Sequence, residues 1–284
     1  VNAEDVLDPE AYQLNREGKG GVRVVGLKVS KYFPGGYLQV TAGPHDKWGG
    51  VQGIVEKPGK GNEPSDLVKL VVDYFKDGKK LIGYLEKAQT SKDDAYEVAL
   101  DLMIKDGVEV TFTKYEGAWI PLKYPWHILD ITEHFLSKVE QQISPTAKVS
   151  EKATIEGNVV IEEGVKVFEG AVIKGPVYLG KNCIVGNNCL IRESNLEEGG
   201  VTGFNSDMTR SYIGANSWFH TNYVGDSVLE GDFGMGSGAV LANLRLDNKS
   251  VKVGTEKLDT GKDKLGLIAG KGVRVGVNSS IMPG

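Results

Sequence analysis

His220 is the only histidine after residue 140 in a 284-residue chain that holds four. It stands in the segment Trp218-Phe219-His220-Thr221-Asn222-Tyr223. A neutral imidazole can accept a proton from an attacking amine near neutral pH. Further on, Asn243 closes a run of small and aliphatic residues, and the loop after it is dense in cations: Arg245, Lys249, Lys252, Lys257, Lys262 and Lys264. Lysines can hold a phosphate as point charges. Together the two features suggest N-acyl transfer to an amino sugar phosphate. Each also has a plainer reading, because a lone histidine is commonly structural or merely exposed and a cationic loop is commonly solvated charge. A catalytic zinc of the carbonic anhydrase kind takes three histidines, and this half of the chain offers one.

The elements that must position these residues are announced by a period of six. Ile143, Val149, Ile155, Ile161, Val167, Ile173, Leu179, Val185 and Ile191 stand six apart without a break. Four residues after each comes a small or modest side chain, including Cys183 and Cys189, with Asn195 as the polar exception. Neither a helix nor an ordinary amphipathic strand keeps that period. A hexapeptide solenoid does, with a short strand and a tight corner repeated three times per triangular coil and a continuous core inside the stack. The expected fold is therefore a left-handed parallel β-helix, and the two cysteines read as core packing. An irregular stretch is expected over Leu196–Tyr212, with the six-residue phase resuming at Ile213. The cationic loop interrupts the coils, and loops on rigid scaffolds are where sites tend to be built.

The first half reads as α/β. Val22–Val29 and Val51–Val55 look like strands, while Pro64–Phe75 and Asp93–Lys105 carry helical spacing. Tyr124–Gln142 is helical again and serves as a connector, which puts the domains at 1–139 and 140–284. With 33 Lys+Arg against 38 Asp+Glu the chain is modestly acidic, so neither nucleic acid nor an anionic membrane is suggested as a partner. No apolar run approaches a membrane span and no cationic and apolar leader opens the chain, so a soluble, cytoplasmic protein is expected. Val1-Asn2-Ala3-Glu4-Asp5-Val6-Leu7 begins like the close of a buried strand, and Ile281-Met282-Pro283-Gly284 stops within a hexapeptide. The expectation is a chain truncated at both ends.

Three segments carry a family resemblance. They are His220-Thr221-Asn222-Tyr223-Val224-Gly225-Asp226-Ser227, then Gly236-Ser237-Gly238-Ala239-Val240-Leu241-Ala242-Asn243-Leu244-Arg245-Leu246-Asp247, then Asp259-Thr260-Gly261-Lys262-Asp263-Lys264-Leu265-Gly266. They resemble the acetyltransferase half of archaeal bifunctional sugar-1-phosphate nucleotidylyltransferase/acetyltransferases. They are also similar to bacterial N-acetylglucosamine-1-phosphate uridyltransferase/glucosamine-1-phosphate acetyltransferase. The resemblance implies acetyl-CoA as cosubstrate and His220 as general base. Tyr223 and Asn243 would line the amino sugar and acetyl site, and Lys249 and Lys252 would contact the substrate. Arg192 resembles the family's phosphate-binding arginine. Arg210 lies near a second basic position, which is Thr209 in strict alignment. A backbone amide or Asn243 would steady the developing oxyanion, and the assembly implied is a homotrimer with its site shared between neighbouring solenoids.

The resemblance extends through the first half. Gly50-Val51-Gln52-Gly53-Ile54-Val55-Glu56-Lys57-Pro58 is similar to the sugar-binding segment of nucleotidylyltransferases, and Trp119-Ile120-Pro121-Leu122-Lys123-Tyr124-Pro125-Trp126 to their closing segment. Glu56 would hold sugar hydroxyls and Lys57 the sugar phosphate, within an incomplete Rossmann-like nucleotidyltransferase sheet. The family's glycine-rich phosphate cradle is absent, and its Mg²⁺-binding Gly-Asp appears as Ala3-Glu4 with Asp5 beside it. The second metal aspartate is Pro121, which has no side-chain ligand to offer. The leading expectation is acetyl transfer to glucosamine-1-phosphate or galactosamine-1-phosphate. Sugar-1-phosphate nucleotidyl transfer and a non-catalytic nucleotidylyltransferase-like subunit stand as alternatives.

Overall fold

The computed structural model describes residues 5–17, 20–41, 48–91 and 94–284, and every structural statement here concerns those residues. The chain divides into two compact units, Val1–Pro121 and Leu122–Gly284. This division falls earlier than 139/140 because the helix His127–Leu136 belongs with the second unit. The ring of Trp126 beside it is buried with Val251 and Leu265, and Asp130 pairs with Lys262. The helix is shorter than the Tyr124–Gln142 expected.

In the first unit five strands close into a ring, in the order Val22–Lys28, Leu67–Phe75, Gly36–Val40, Trp48–Glu56, Val110–Tyr115. Val22–Lys28 runs parallel to Val110–Tyr115, and the other contacts are antiparallel. With the helices Glu10–Glu17, Gly78–Leu85 and Ala95–Lys105 this is the expected α/β part, built as a mixed closed sheet. Leu100 and Met103 of the last helix pack with Val24, Leu38 and Phe112. Leu67–Phe75 is a strand, where helical spacing over Pro64–Phe75 had predicted a helix. Its leucines fit either period, but Val68, Val71, Val72, Tyr74 and Phe75 favour the pleated surface, and pairing with Val22–Lys28 decides it. The helix predicted over 93–105 runs Ala95–Lys105, and Asp93 lies outside the described residues. Inside this unit Lys69 Nζ meets Asp73 Oδ2 at 2.7 Å and the Tyr96 hydroxyl donates to the same oxygen at 2.6 Å. A buried ion pair needs such added hydrogen bonds to offset its desolvation.

The second unit is the solenoid: three parallel sheets of seven strands each form its faces. On the first face lie strands such as Val159–Ile161 and Val228–Leu229, on the second Lys166–Val167 and Trp218–Phe219, on the third Val172–Lys174 and Tyr223–Gly225. The core holds the six-spaced aliphatics from Ile161 to Ile191 together with Cys183 and Cys189, all fully buried. Burying a side chain of this size contributes roughly 1.5–3 kcal/mol, which makes the repeat a sufficient cause of the coil.

Leu196–Tyr212 is continuous solenoid, contrary to the irregular stretch expected, with strands at Asn195–Leu196, Val201–Thr202, Asp207–Thr209 and Tyr212–Ile213. The coil shortens here. Register partners on the third face are Ile173, Ile191, Met208 and Val224, so successive coils take 18, 17 and 16 residues. One residue is lost at the corner from the third face to the first, and the 16-residue coil loses a second at the corner from the second face to the third, where His220 sits. Glu193, Arg210 and Asp226 occupy the corner from the third face to the first in successive coils, with φ of +47°, +45° and +47°. Few non-glycine residues adopt the left-handed region. Each is followed by a buried serine, and Ser211 N donates to Ser194 Oγ, Ser227 N to Ser211 Oγ and Leu267 N to Ser227 Oγ, all at 3.1 Å. Every hydroxyl in turn donates to a carbonyl of its own coil. This serine ladder holds the tightened corner.

In the next coil the same corner opens into the loop after Asn243. The loop carries a small hairpin, Lys252–Val253 against Leu258–Asp259. Its two ends are tied side by side: Leu265 N donates to Asn243 O at 2.9 Å and Gly266 N to Asp226 O at 2.8 Å. Among the described residues no helix is long and apolar enough to cross a membrane.

Candidate active site

The strand Tyr223–Gly225 has His220 at its approach and Asp226 just past its end. At the far end lies a charged network. Asp226, 6% exposed, accepts from Arg210 Nε at 2.7 Å and Nη2 at 2.8 Å, a bidentate fork. Its Oδ2 also accepts from Asn243 Nδ2 at 2.5 Å. The hydrogen bond to Asp226 raises the Arg210 guanidinium above its ordinary range, burial opposing and Glu193 adding a smaller push upward. The other side of the Arg210–Asp226 pair forms part of the wall of a cavity of about 620 Å³ beneath the helix His127–Leu136, with Glu193, Lys262 and Lys264 also in its lining.

Tyr223 and Asn243 converge on Gly225. A β-carbon at position 225 would stand 2.6 Å from Asn243 Nδ2 and 2.6 Å from the Tyr223 hydroxyl. A methyl group there would push both side chains aside, so the glycine between Val224 and Asp226 is what lets the two groups approach. His220 sits on the corner from the second face to the third, exposed, with its ring edge-to-face against Trp218 at 5.4 Å. Its backbone is clamped. His220 N donates to Asn222 Oδ1 at 2.7 Å, and Ser206 Oγ donates to His220 O at 2.6 Å. Asn222 is itself buried and donates to Gly236 O and Ala239 O in the next coil. The histidine thus stands on a rigid corner with its imidazole directed to solvent access.

Arg192 is on the same third face, in register with Thr209, which is in register with Gly225. Neighbouring strands lie about 4.8 Å apart, so Arg192 is two strand spacings below the Tyr223–Asn243 meeting point. Its Nη2 donates to both oxygens of Asp207, at 2.8 and 3.0 Å, while its Nε is buried without a hydrogen-bond partner. Lys249 and Lys252 are exposed on the loop, Lys252 in the hairpin strand opposite Asp259.

Glu56 and Lys57 belong to the first unit, at and just beyond the end of the strand Trp48–Glu56. Burial pushes the Glu56 carboxyl above the usual carboxylate range and Glu97 adds to it, while the Lys57 ammonium at 3.5 Å opposes the shift. Of the expected metal positions Glu4 lies outside the described residues. Asp5 pairs across the two-stranded ladder with Pro121, so the position expected to supply a second carboxylate faces Asp5 with a ring that has none. Among the described residues no group of three or more His, Cys, Asp or Glu is arranged for a metal ion.

Sequence reasoning did not single out Asp226, Gly225 or Asn222. All three sit inside the segment that carried the resemblance, yet the partners of Asp226 and Asn222 are a coil away. Asp226 reaches Arg210 and Asn243 across 16 and 17 residues.

Residues 158–193 match the bacterial transferase hexapeptide (six repeats) family. The bifunctional sugar-1-phosphate nucleotidylyltransferase/acetyltransferase of Sulfurisphaera tokodaii is 34% identical over 271 residues, covering 92% of this chain and 64% of that protein. The bifunctional protein GlmU of Methanocaldococcus jannaschii is 36% identical over 236 residues, covering 81% of this chain and 56% of that protein. The chain is related to these bifunctional proteins. It spans 64% and 56% of their lengths, and both of its units fall within the similarity to the longer match. A solved perosamine N-acetyltransferase from Caulobacter crescentus, in complex with CoA and GDP-perosamine, is 20% identical over 36% of this chain and 48% of its own, with a TM-score of 0.28. So partial an overlap carries no argument.

Proposed function

We propose that the chain catalyses acetyl transfer from acetyl-CoA to the amine of glucosamine-1-phosphate or galactosamine-1-phosphate. The observation that carries this reading is the meeting of the Tyr223 hydroxyl and the Asn243 amide over Gly225, on the strand that His220 leads into. His220 takes a proton as the amine nitrogen bonds to the thioester carbonyl carbon. The carbon–sulfur bond then breaks, and the proton passes to the departing sulfur, giving the N-acetyl sugar phosphate and free CoA thiol. Tyr223 and Asn243 hold the amino sugar, Arg192 and Arg210 supply positive charge, and Lys249 and Lys252 add phosphate attraction from the loop. A homotrimer in the cytoplasm belongs to the same reading. The name of the Sulfurisphaera tokodaii relative carries both an acetyl and a nucleotidyl activity, and Pro121 opposite Asp5 supports leaving the second aside for this chain.

Thiol release from acetyl-CoA, measured with each sugar phosphate, tests the proposal. Release is expected with at least one of them, and His220→Ala should lower the rate by ~10²–10⁴-fold, the usual contribution of a positioned base. Silence of the parent with both sugars, or a His220→Ala variant within a few-fold of it, overturns the reading.

A further inference from the structure

An amide side chain has two unlike ends, and at Asn243 the surroundings choose between them. The Asp226 carboxylate can only accept hydrogen bonds, and both of its oxygens already receive the Arg210 fork. At 2.5 Å from Oδ2 the neighbouring atom of Asn243 has to be the donor, Nδ2, because a carbonyl oxygen there would set two acceptors against each other. The carbonyl oxygen Oδ1 is consequently turned away from Asp226. It takes no donor from the protein among the described residues.

We propose that Asp226 is a positioning residue that fixes the amide of Asn243 with its nitrogen inward and its carbonyl oxygen outward, so that the site selects a sugar phosphate whose C2 substituent is an amine. This rests on the acetyl-transfer reading for the place of the sugar. A protonated amine is donor-only, whereas a hydroxyl both gives and accepts, so a fixed acceptor favours the first. Asn243 then holds the amine, which gives up one proton to solvent before it attacks, and support for the oxyanion falls to a backbone amide.

Asp226→Asn tests this with almost no change of shape. Arg210 donates at both ends of the group, so the single oxygen of the new amide can serve only one of them. Where it stays with Arg210 Nε the nitrogen faces Asn243, which turns over and presents a donor to the ligand's amine; where it stays beside Asn243 the bond that fixes the amide loses its charge assistance, and in both cases the outward carbonyl is less firmly held. Calorimetric titration with glucosamine-1-phosphate and with glucose-1-phosphate, neither needing acetyl-CoA, reads the result. The parent is expected to prefer the amino sugar, and Asp226→Asn to lose about tenfold or more of its affinity for it, the scale of a hydrogen bond to a charged group. Glucose-1-phosphate should change by less than about threefold, since a hydroxyl can satisfy either end of the amide. Adding Asn243→Asp to Asp226→Asn restores an outward acceptor, and the amine preference should return. If Asp226→Asn alone fails to fold, the double variant still decides by its own preference.

Equal losses for both ligands would mean that Asp226 only holds the corner together, and the proposal fails. It fails equally if the parent binds neither ligand, shows no amine preference, or keeps that preference in Asp226→Asn. Thiol release by the parent is scored separately. A parent that prefers the amino sugar but never releases thiol sinks the acetyl-transfer reading and leaves the selectivity result to judge Asp226.

Discussion

Glu56 shows what burial does to a single carboxylate. Desolvation and Glu97 raise its folded value and Lys57 only partly offsets them, so the folded state holds the proton more tightly than the unfolded chain does. Protonation therefore favours folding. The gain is full below the unfolded value and is lost as pH rises through the raised folded one, above which the charged group is a standing penalty. Glu56→Gln should accordingly raise the urea midpoint of the parent near neutral pH, with the difference shrinking below about pH 4, where an ordinary carboxyl takes up its proton. A midpoint that drops at neutral pH would show that the pairing with Lys57 outweighs burial. In the second unit His220, Tyr223 and Asn243 were reached through the resemblance to a family, along one short stretch of sequence and one run further on. The network behind them was not, because Asp226 finds its partners on adjacent coils.

At the scale of the strand and corner, the position beneath His220 is Gly203. A β-carbon there would come 2.6 Å from His220 Cα and 2.8 Å from its carbonyl carbon, both backbone atoms that cannot rotate aside. Gly203→Ala is expected to move the histidine corner without altering any polar group of the site. Misplacing a catalytic group by about 1 Å can cost ~10²-fold, so acetyl transfer should fall far more than sugar-phosphate affinity does. Retained turnover would mean that the corner has more play than its clamps at Asn222 and Ser206 imply. The solenoid itself was readable from Ile143 to Ile191 because every sixth position there is aliphatic and no step is missed. Beyond Ile191 the coil drops residues at the corner from the third face to the first and, once, at the corner that carries His220, and it turns Thr202 and Met208 inward, so the period disappears from the sequence while the fold continues. Leu67–Phe75 was misread for a different reason: its leucine spacing suits a helix, and only strand pairing reveals the pleat.

For the whole molecule, flat seven-stranded faces suit side-by-side packing, and exposed Phe168 and Phe204 mark apolar surface at the corner that also carries His220. Light scattering should give three times the chain mass, in line with the closed symmetry common to soluble oligomers. A monomer at micromolar concentration would remove the trimer from the proposal. The serine ladder carries a separate consequence for how such a chain can change. The strand that returns after the loop is received by Ser227 just as earlier coils are received by Ser194 and Ser211. The peptide ends at Asn243 and Leu265 are already bonded to each other, and lengthening a closed loop costs little, about 0.6 kcal/mol per doubling. The exposed tip of the hairpin, residues 254–257, is thus an interchangeable part, whereas Val251, Lys262 and Leu265 are held by Trp126 and Asp130. The tip can be shortened, lengthened or traded with a relative's while the coils on either side keep their register, so this edge of the solenoid is free to evolve faster than the scaffold that bears it.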